Sequence, residues 1–223
     1  MSAACGHEVN FDGQSAAYRR ALWAVIGLNA GMFGVELWAG ALAGSQALRA
    51  DALDFLADAA TYGLSLWVIG RPLATRARVA MAKGLSLLAM GLWVFGSTLW
   101  LFFGPGLPRA EVMGVVGALA LAANLSSVLI LMRYRNGDAN VRSVWLCSRN
   151  DAVGNVAVMG AALLVGLTAT PWPDLVVAAA MSGLFLSSAV QILRHALAEM
   201  RAGSAGDAHG HARSCGHDHG HSH

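Results

Sequence analysis

Six runs of apolar residues divide the chain, separated by short polar or glycine- and proline-bearing breaks. They cover about Ala21 to Ala43, Ala47 to Gly70, Val79 to Phe103, Val112 to Met132, Val141 to Leu167 and Pro173 to Leu197. Each reaches the roughly 20 residues that a helix needs to cross a bilayer's hydrocarbon layer. The breaks are a basic loop from Arg71 to Arg78, a Gly/Pro stretch from Gly104 to Pro108, a polar turn from Arg133 to Asn140 and a tight turn from Thr168 to Pro173. The pattern predicts an all-α, polytopic membrane protein with six transmembrane helices. Residues 1–18 read as a polar lead, 19–200 as the six-helix domain and 201–223 as a disordered tail.

Composition agrees with that reading. Hydrophobic residues make up 56% of the chain and charged residues 13%, with a mean hydropathy of +0.53. A soluble domain carries about 25% charged residues. The net charge of +2 gives no reason to expect a nucleic-acid partner; the expected surroundings are the lipid bilayer. Where the basic residues fall matters more. With the N-terminus inside, twelve of the fifteen lie in inner segments, leaving Arg49, Arg109 and Arg149. That bias predicts both termini in the cytoplasm. Trp23, Trp38, Trp100 and Trp172 lie near span ends, as interfacial anchors do. Three cysteines, far apart, make no disulfide framework. The lead lacks a basic region followed by an apolar core, so no cleavable signal peptide is expected.

The second run contains an anomaly. Asp51, Asp54 and Asp58 recur at spacings of three and four, which puts them on one face of a helix. Each charge near a bilayer centre costs about 2.5–3.5 kcal/mol on insertion scales, so a partner or a bound cation must offset them. The fifth run supplies a second pair four apart, Cys147 and Asp151. Two residues from each of two facing helices give the four ligands of a tetrahedral Zn²⁺ site. Counting from the inner ends at 1.5 Å per residue puts Asp58 and Asp151 within about one turn of each other in depth. Metal ligands must be deprotonated to bind, so protons compete with the ion. Three carboxylates admit harder ions such as Mn²⁺, Fe²⁺ or Co²⁺, while thiolate favours Zn²⁺ and Cd²⁺.

The remaining buried polar residues have simpler readings. Asn29 and Asn124 read as interhelical hydrogen-bonders. Glu36 is evenly balanced between a proton or cation role and a structural one, and Asn155 joins it and Asp51 as an accessory candidate. Asp51 lies near the outer start of its helix, where an acid is favoured by the helix N-terminus. Arg149 could serve as counter-charge to a carboxylate.

The tail carries His209, His211, Cys215, His217, His219, His221 and His223, a compositional signal for weak metal capture. A non-transporting membrane metal binder or sensor built on these residues is the alternative function. No His-Glu-x-x-His, Gly-x-Ser-x-Gly or phosphate-binding loop occurs, so no enzyme and no organic cofactor is expected.

The stretch from Ser45 to Asp58 resembles the second-helix signature of the cation diffusion facilitator family. Asn29, Phe33, Glu36 and Gly40 resemble its first helix. Asn140-Val-Arg and Asp151-Ala-Val-Gly-Asn155 resemble its fifth. The likeness covers about residues 19–200. It implies export of divalent metals, usually Zn²⁺, in exchange for protons by alternating access, commonly as a homodimer. It also implies an integral protein of the bacterial inner membrane. Carried over residue by residue, the ligand positions are Asp54, Asp58, Cys147 and Asp151. Two features depart from the family. Its His-x-x-x-Asp pair is Asp-x-x-x-Asp in the second helix and Cys-x-x-x-Asp in the fifth. Its cytoplasmic metal-binding domain is expected to be replaced by the His-rich tail.

Overall fold

A computed structural model describes residues 15–68, 73–104, 106–134 and 139–212; the side chains of 65, 68, 73, 74, 76, 77, 139–147, 199 and 201–212 lie outside that description. The described residues form six helices and no strand: α1 (Ala16–Ala43), α2 (Gln46–Val68), α3 (Leu73–Phe102), α4 (Ala110–Met132), α5 (Ala139–Thr168) and α6 (Trp172–Ala212). Five of them are long and apolar enough to cross a membrane. The exception, α2, carries Arg49 and the three aspartates within its 23 residues. Large apolar side chains face outward, among them Trp38, Trp100, Leu129 and Leu167. Asn29, Glu36, Asp51, Asn124 and Asn155 are buried inside. This apolar-outside, polar-inside arrangement suits lipid as solvent. The protein is a polytopic, all-helical membrane protein.

Two helices begin earlier than the apolar pattern predicts. α3 starts at Leu73, so Arg76 and Arg78 stand on helix rather than in a loop. No glycine or proline interrupts 73–78, so nothing stops the helix from extending past the apolar run. α5 likewise takes in Ala139 and Asn140 from the expected turn. The backbone of α6 runs on to Ala212, past Leu197 where its apolar run ends.

The helices run alternately up and down. Tyr18 at the start of α1 stacks edge-on against Tyr134 after α4, with centroids 5.1 Å apart. Around them Leu22, Val25, Tyr62 and Leu131 form one apolar cluster, marking the terminal end of the bundle. At the opposite, far end, the turn from α1 to α2 is two residues long. Gly44 takes φ 67°, a left-handed conformation open to glycine. Ser45 then caps α2, its hydroxyl oxygen accepting from the Leu48 backbone N–H at 3.1 Å.

A carboxylate from another helix completes that cap. Asp174, in the first turn of α6, accepts from the Ser45 hydroxyl (2.5 Å), the Gln46 N–H (2.8 Å) and the Ala47 N–H (3.1 Å). It is buried at 1% exposure. Orphan N–H groups at a helix start attract negative charge, so this contact ties α6 to α2 at the far end. α3 and α6 meet along a seam where glycine is required. A Cβ on Gly84 would sit 2.8 Å from Leu193 Cδ2, and one on Gly91 would sit 3.1 Å from Leu186 Cδ2.

Candidate metal centre

Asp51, Asp54 and Asp58 are separated by the fold into two neighbouring polar groups. Asp54 and Asp58 project toward α5, where the Asp151 carboxyl stands close enough to interact with each of them. Of the two pairs expected to meet, the structure places Asp54, Asp58 and Asp151 together; the Cys147 side chain lies outside the described residues. The Tyr62 hydroxyl, one turn further along α2, donates to Asp58 Oδ2 at 2.6 Å and lies 3.4 Å from Ser148 Oγ. The tyrosine therefore holds one Asp58 oxygen in place from the terminal side.

Asp54, Asp58 and Asp151 line a cavity of about 470 Å³ between α2, α3, α5 and α6. From α2 its wall runs from Asp54 to Leu64, from α3 it includes Lys83 and Met90, and α5 adds Asn150 and Asp151. Asp54 and Met90 lie just to the far side of mid-helix, and the other positions lie between mid-helix and the terminal end. At the far end Asp174 ties α6 to the α2 cap. The chamber thus extends from the middle of the bundle toward the termini side.

Cys147 lies on α5, four residues before Asp151, but its side chain falls outside the description. Among the described residues, no three His, Cys, Asp or Glu side chains converge closely enough to hold an ion as they stand. The carboxylates share a chamber without closing on one point. Two α2 acids with Asp151 opposite offer oxygen donors suited to a divalent cation. His209 and His211 fall on the α6 backbone without described side chains; Cys215, His217, His219, His221 and His223 lie outside the described residues.

The second group runs across four helices. Asn124 Nδ2 of α4 donates to Asn155 Oδ1 at 2.8 Å, and Asn155 Nδ2 of α5 donates to Asp51 Oδ2 at 2.7 Å. Glu36 of α1 faces Asp51, although neither of its oxygens makes a well-formed hydrogen bond. Asn124 thus bonds across helices as expected. Asn29 does not, since neither its oxygen nor its nitrogen has a hydrogen-bond partner. Asp51 departs from its expected place at the helix entrance: it lies six positions inside α2, and Ser45 and Asp174 serve the N-terminus instead. The accessory candidates Glu36, Asp51 and Asn155 do come together, beside the chamber rather than in its wall. Arg149 is exposed, with Nη2 3.5 Å from Asn150 Oδ1, and Lys83, which lines the chamber with Asp58, attracts its charge.

Comparison with known proteins decides the family. The model of the cation efflux transmembrane domain matches residues 22–72 and 77–200. The chain belongs to the cation diffusion facilitator family. It is 28% identical over 202 residues to the zinc transporter ZitB of Escherichia coli (strain K12), covering 83% of this chain and 63% of that protein. It is also 28% identical over 156 residues to the metal cation efflux system protein CzcD of Cupriavidus metallidurans, covering 64% of this chain and 49% of that protein. The chain therefore spans about half to two thirds of the length of these relatives. Within this family member, the aspartate pair of α2 and Asp151 of α5 occupy facing walls of one chamber.

Three residues of the site escape sequence reasoning. Lys83 counts there only as one basic residue among those on the inner side. Tyr62 is apolar in pattern, and only its spacing of four from Asp58 hints at contact. Asp174 follows Pro171-Trp-Pro173 and reads as an ordinary first-turn acid.

Proposed function

We propose that the chain is a divalent metal cation efflux transporter that exchanges metal for protons by alternating access. The observation that carries this reading is that Asp54, Asp58 and Asp151 line one chamber that extends from the middle of the bundle toward the termini side. In this reading both termini are cytoplasmic and the membrane is the bacterial inner membrane. The ion enters from the cytoplasm and binds Asp54, Asp58 and Asp151, with the Cys147 thiolate as fourth ligand. Zn²⁺ ranks first because a thiolate with carboxylates suits a borderline-soft ion; Cd²⁺, Co²⁺, Fe²⁺ and Mn²⁺ follow. The similarity to ZitB, a zinc transporter, agrees with that order. Protons reach the same donors when the bundle opens to the other side, and compete the metal off. Glu36, Asp51 and Asn155 serve as accessory residues that hold α1, α2, α4 and α5 in register around the chamber. A homodimer is the expected assembly, and the His/Cys tail captures metal weakly before entry.

The test is a panel of divalent metals presented to vesicles that contain the purified protein and a pH-sensitive dye. Zn²⁺ uptake with opposite proton movement is expected, abolished by Asp58→Ala. A panel without flux under an imposed pH gradient would sink the reading; full flux in Asp58→Ala would sink the site.

A further inference from the structure

The metal chamber contains one cationic side chain, and that residue has no place in the ligand set. Of the chain's fifteen basic residues fourteen are arginine; Lys83 is its single lysine. The part of α3 that lines the chamber runs Ala82, Lys83, Ser86, Leu87 and Met90, a stripe at helical spacing. On the neighbouring position Gly84 packs close to α6, where a Cβ would lie 2.8 Å from Leu193 Cδ2. Lys83 lines the chamber, where its charge attracts Asp58. An ammonium that merely snorkels to the membrane surface does not account for a wall position shared with Asp54, Asp58 and Asp151.

We propose that Lys83 is a tethered counter-ion of the metal site: its ammonium neutralises part of the aspartate cluster while the site is empty and leaves Asp58 when a divalent cation enters. The proposal rests on the metal-transport reading for its second half only. The charges support it. Asp54, Asp58, Asp151 and the Cys147 thiolate of the proposed ligand set carry a formal −4 when ionised; Lys83 offsets one of these charges in the empty site, and an entering divalent ion replaces its single positive charge with two. A buried cluster of like charges without an internal cation is expensive. A strong fixed −4 would also hold an ion too tightly to release it. A lysine on a flexible four-carbon stem can supply positive charge in the empty state and withdraw from it. Arginine, a wider planar fork, is bulkier but keeps the charge.

The experiment uses the full chain in detergent. Lys83→Met should tighten Zn²⁺ binding at least tenfold and slow turnover in vesicles, because release becomes limiting. Lys83→Arg should stay within threefold of wild type in affinity. Reductive methylation with ¹³C-formaldehyde labels the one lysine, distinguished from the α-amino group by its loss in Lys83→Met. Its resonance should shift as Zn²⁺ saturates the site. An unchanged or weaker affinity in Lys83→Met, or a lysine signal that stays put at saturation, overturns the proposal.

A metal-free measurement separates this failure from failure of the transport reading. Lys83→Met should lower the Tm of the apo protein, and Asp58→Asn should remove most of that loss in the double variant. Additive effects overturn the counter-ion role even if wild type binds no divalent metal. Wild type without metal binding, but with a coupled Lys83–Asp58 pair, overturns the transport reading and the metal-displacement step, and leaves the ion pair standing.

Discussion

Removing the Asp174 carboxylate should be among the most damaging single changes outside the chamber. Asp174→Ala deletes three hydrogen bonds at once, from Ser45 Oγ, Gln46 N–H and Ala47 N–H, at a site 1% exposed. Hydrogen bonds to a charged group are worth about 1.5–3 kcal/mol each. Summed separately they give about 4.5–9 kcal/mol, an upper bound because one carboxylate makes all three. The lower bound is the loss of an N-cap, about 0.5–2 kcal/mol. The Ser45–Leu48 bond survives the change, so a cost of about 2–5 kcal/mol is expected. Asp174→Asn retains one acceptor oxygen but turns an amino group toward a backbone donor, for about 1.5–3 kcal/mol. Ser45→Ala loses one bond to Asp174 and the local cap, for about 1–2 kcal/mol. The assay is reversible unfolding in mixed micelles by SDS titration, followed by tryptophan fluorescence. An Asp174→Ala cost under about 1 kcal/mol would refute the argument. So would Ser45→Ala proving costlier than Asp174→Ala, which would leave the serine as the main cap.

Other substitutions probe the remaining contacts. Gly84→Leu should push α3 from α6, because even a Cβ meets Leu193 at 2.8 Å; overpacking of this kind costs about 1–3 kcal/mol, read in the same unfolding assay. Asn155→Ala leaves Asp51 and Asn124 without their partner and should cost about 2–4 kcal/mol, since each stranded buried group is penalised by about 1–3 kcal/mol; an unaltered midpoint would mean that the network adds no stability. Tyr62→Phe frees one Asp58 oxygen from a 2.6 Å bond; Zn²⁺ affinity measured with a competing chelator dye should change by about three- to tenfold, the equivalent of one hydrogen bond, with the fold intact by circular dichroism.

The architecture was legible because lipid imposes a one-dimensional rule on sequence: each crossing is an apolar run of bilayer length. The same rule blurs the ends. Leu73 to Arg78 has no apolar face to announce it, yet nothing in it stops a helix, so α3 begins there. The approach of Asp151 to Asp54 and Asp58 was legible too. Asp54 and Asp58 were visible as charges in lipid, and Asp151 stood at matching depth in the fifth run. Their separation from Asp51 was not, because it depends on which helix Asp51 faces: Asn155 of α5 and Glu36 of α1 draw it away. Asp174 and Lys83 were hidden for a related reason. Each sits where its residue type is ordinary, an acid at a helix start and a base in the inner half of a span. Only the neighbouring helix reveals that one caps α2 and the other lines the chamber with Asp58.

The glycine seam and the Asp174 cap together make a lever. In the proposed alternating-access cycle, close packing at Gly84 and Gly91 favours α3 and α6 moving together, with the cap joining them to α2 at the far end. With the fulcrum there, rotation is spent at the opposite end, toward which the chamber extends. The 27-residue span from Trp172 to Ala198 is about 40 Å long, so a tilt of about 10° carries its free end about 7 Å. That stroke exceeds the diameter of a bare divalent ion without breaking one contact at the pin. In that proposed cycle, opening toward the far side would load the same joint, the three bonds that Asp174 accepts.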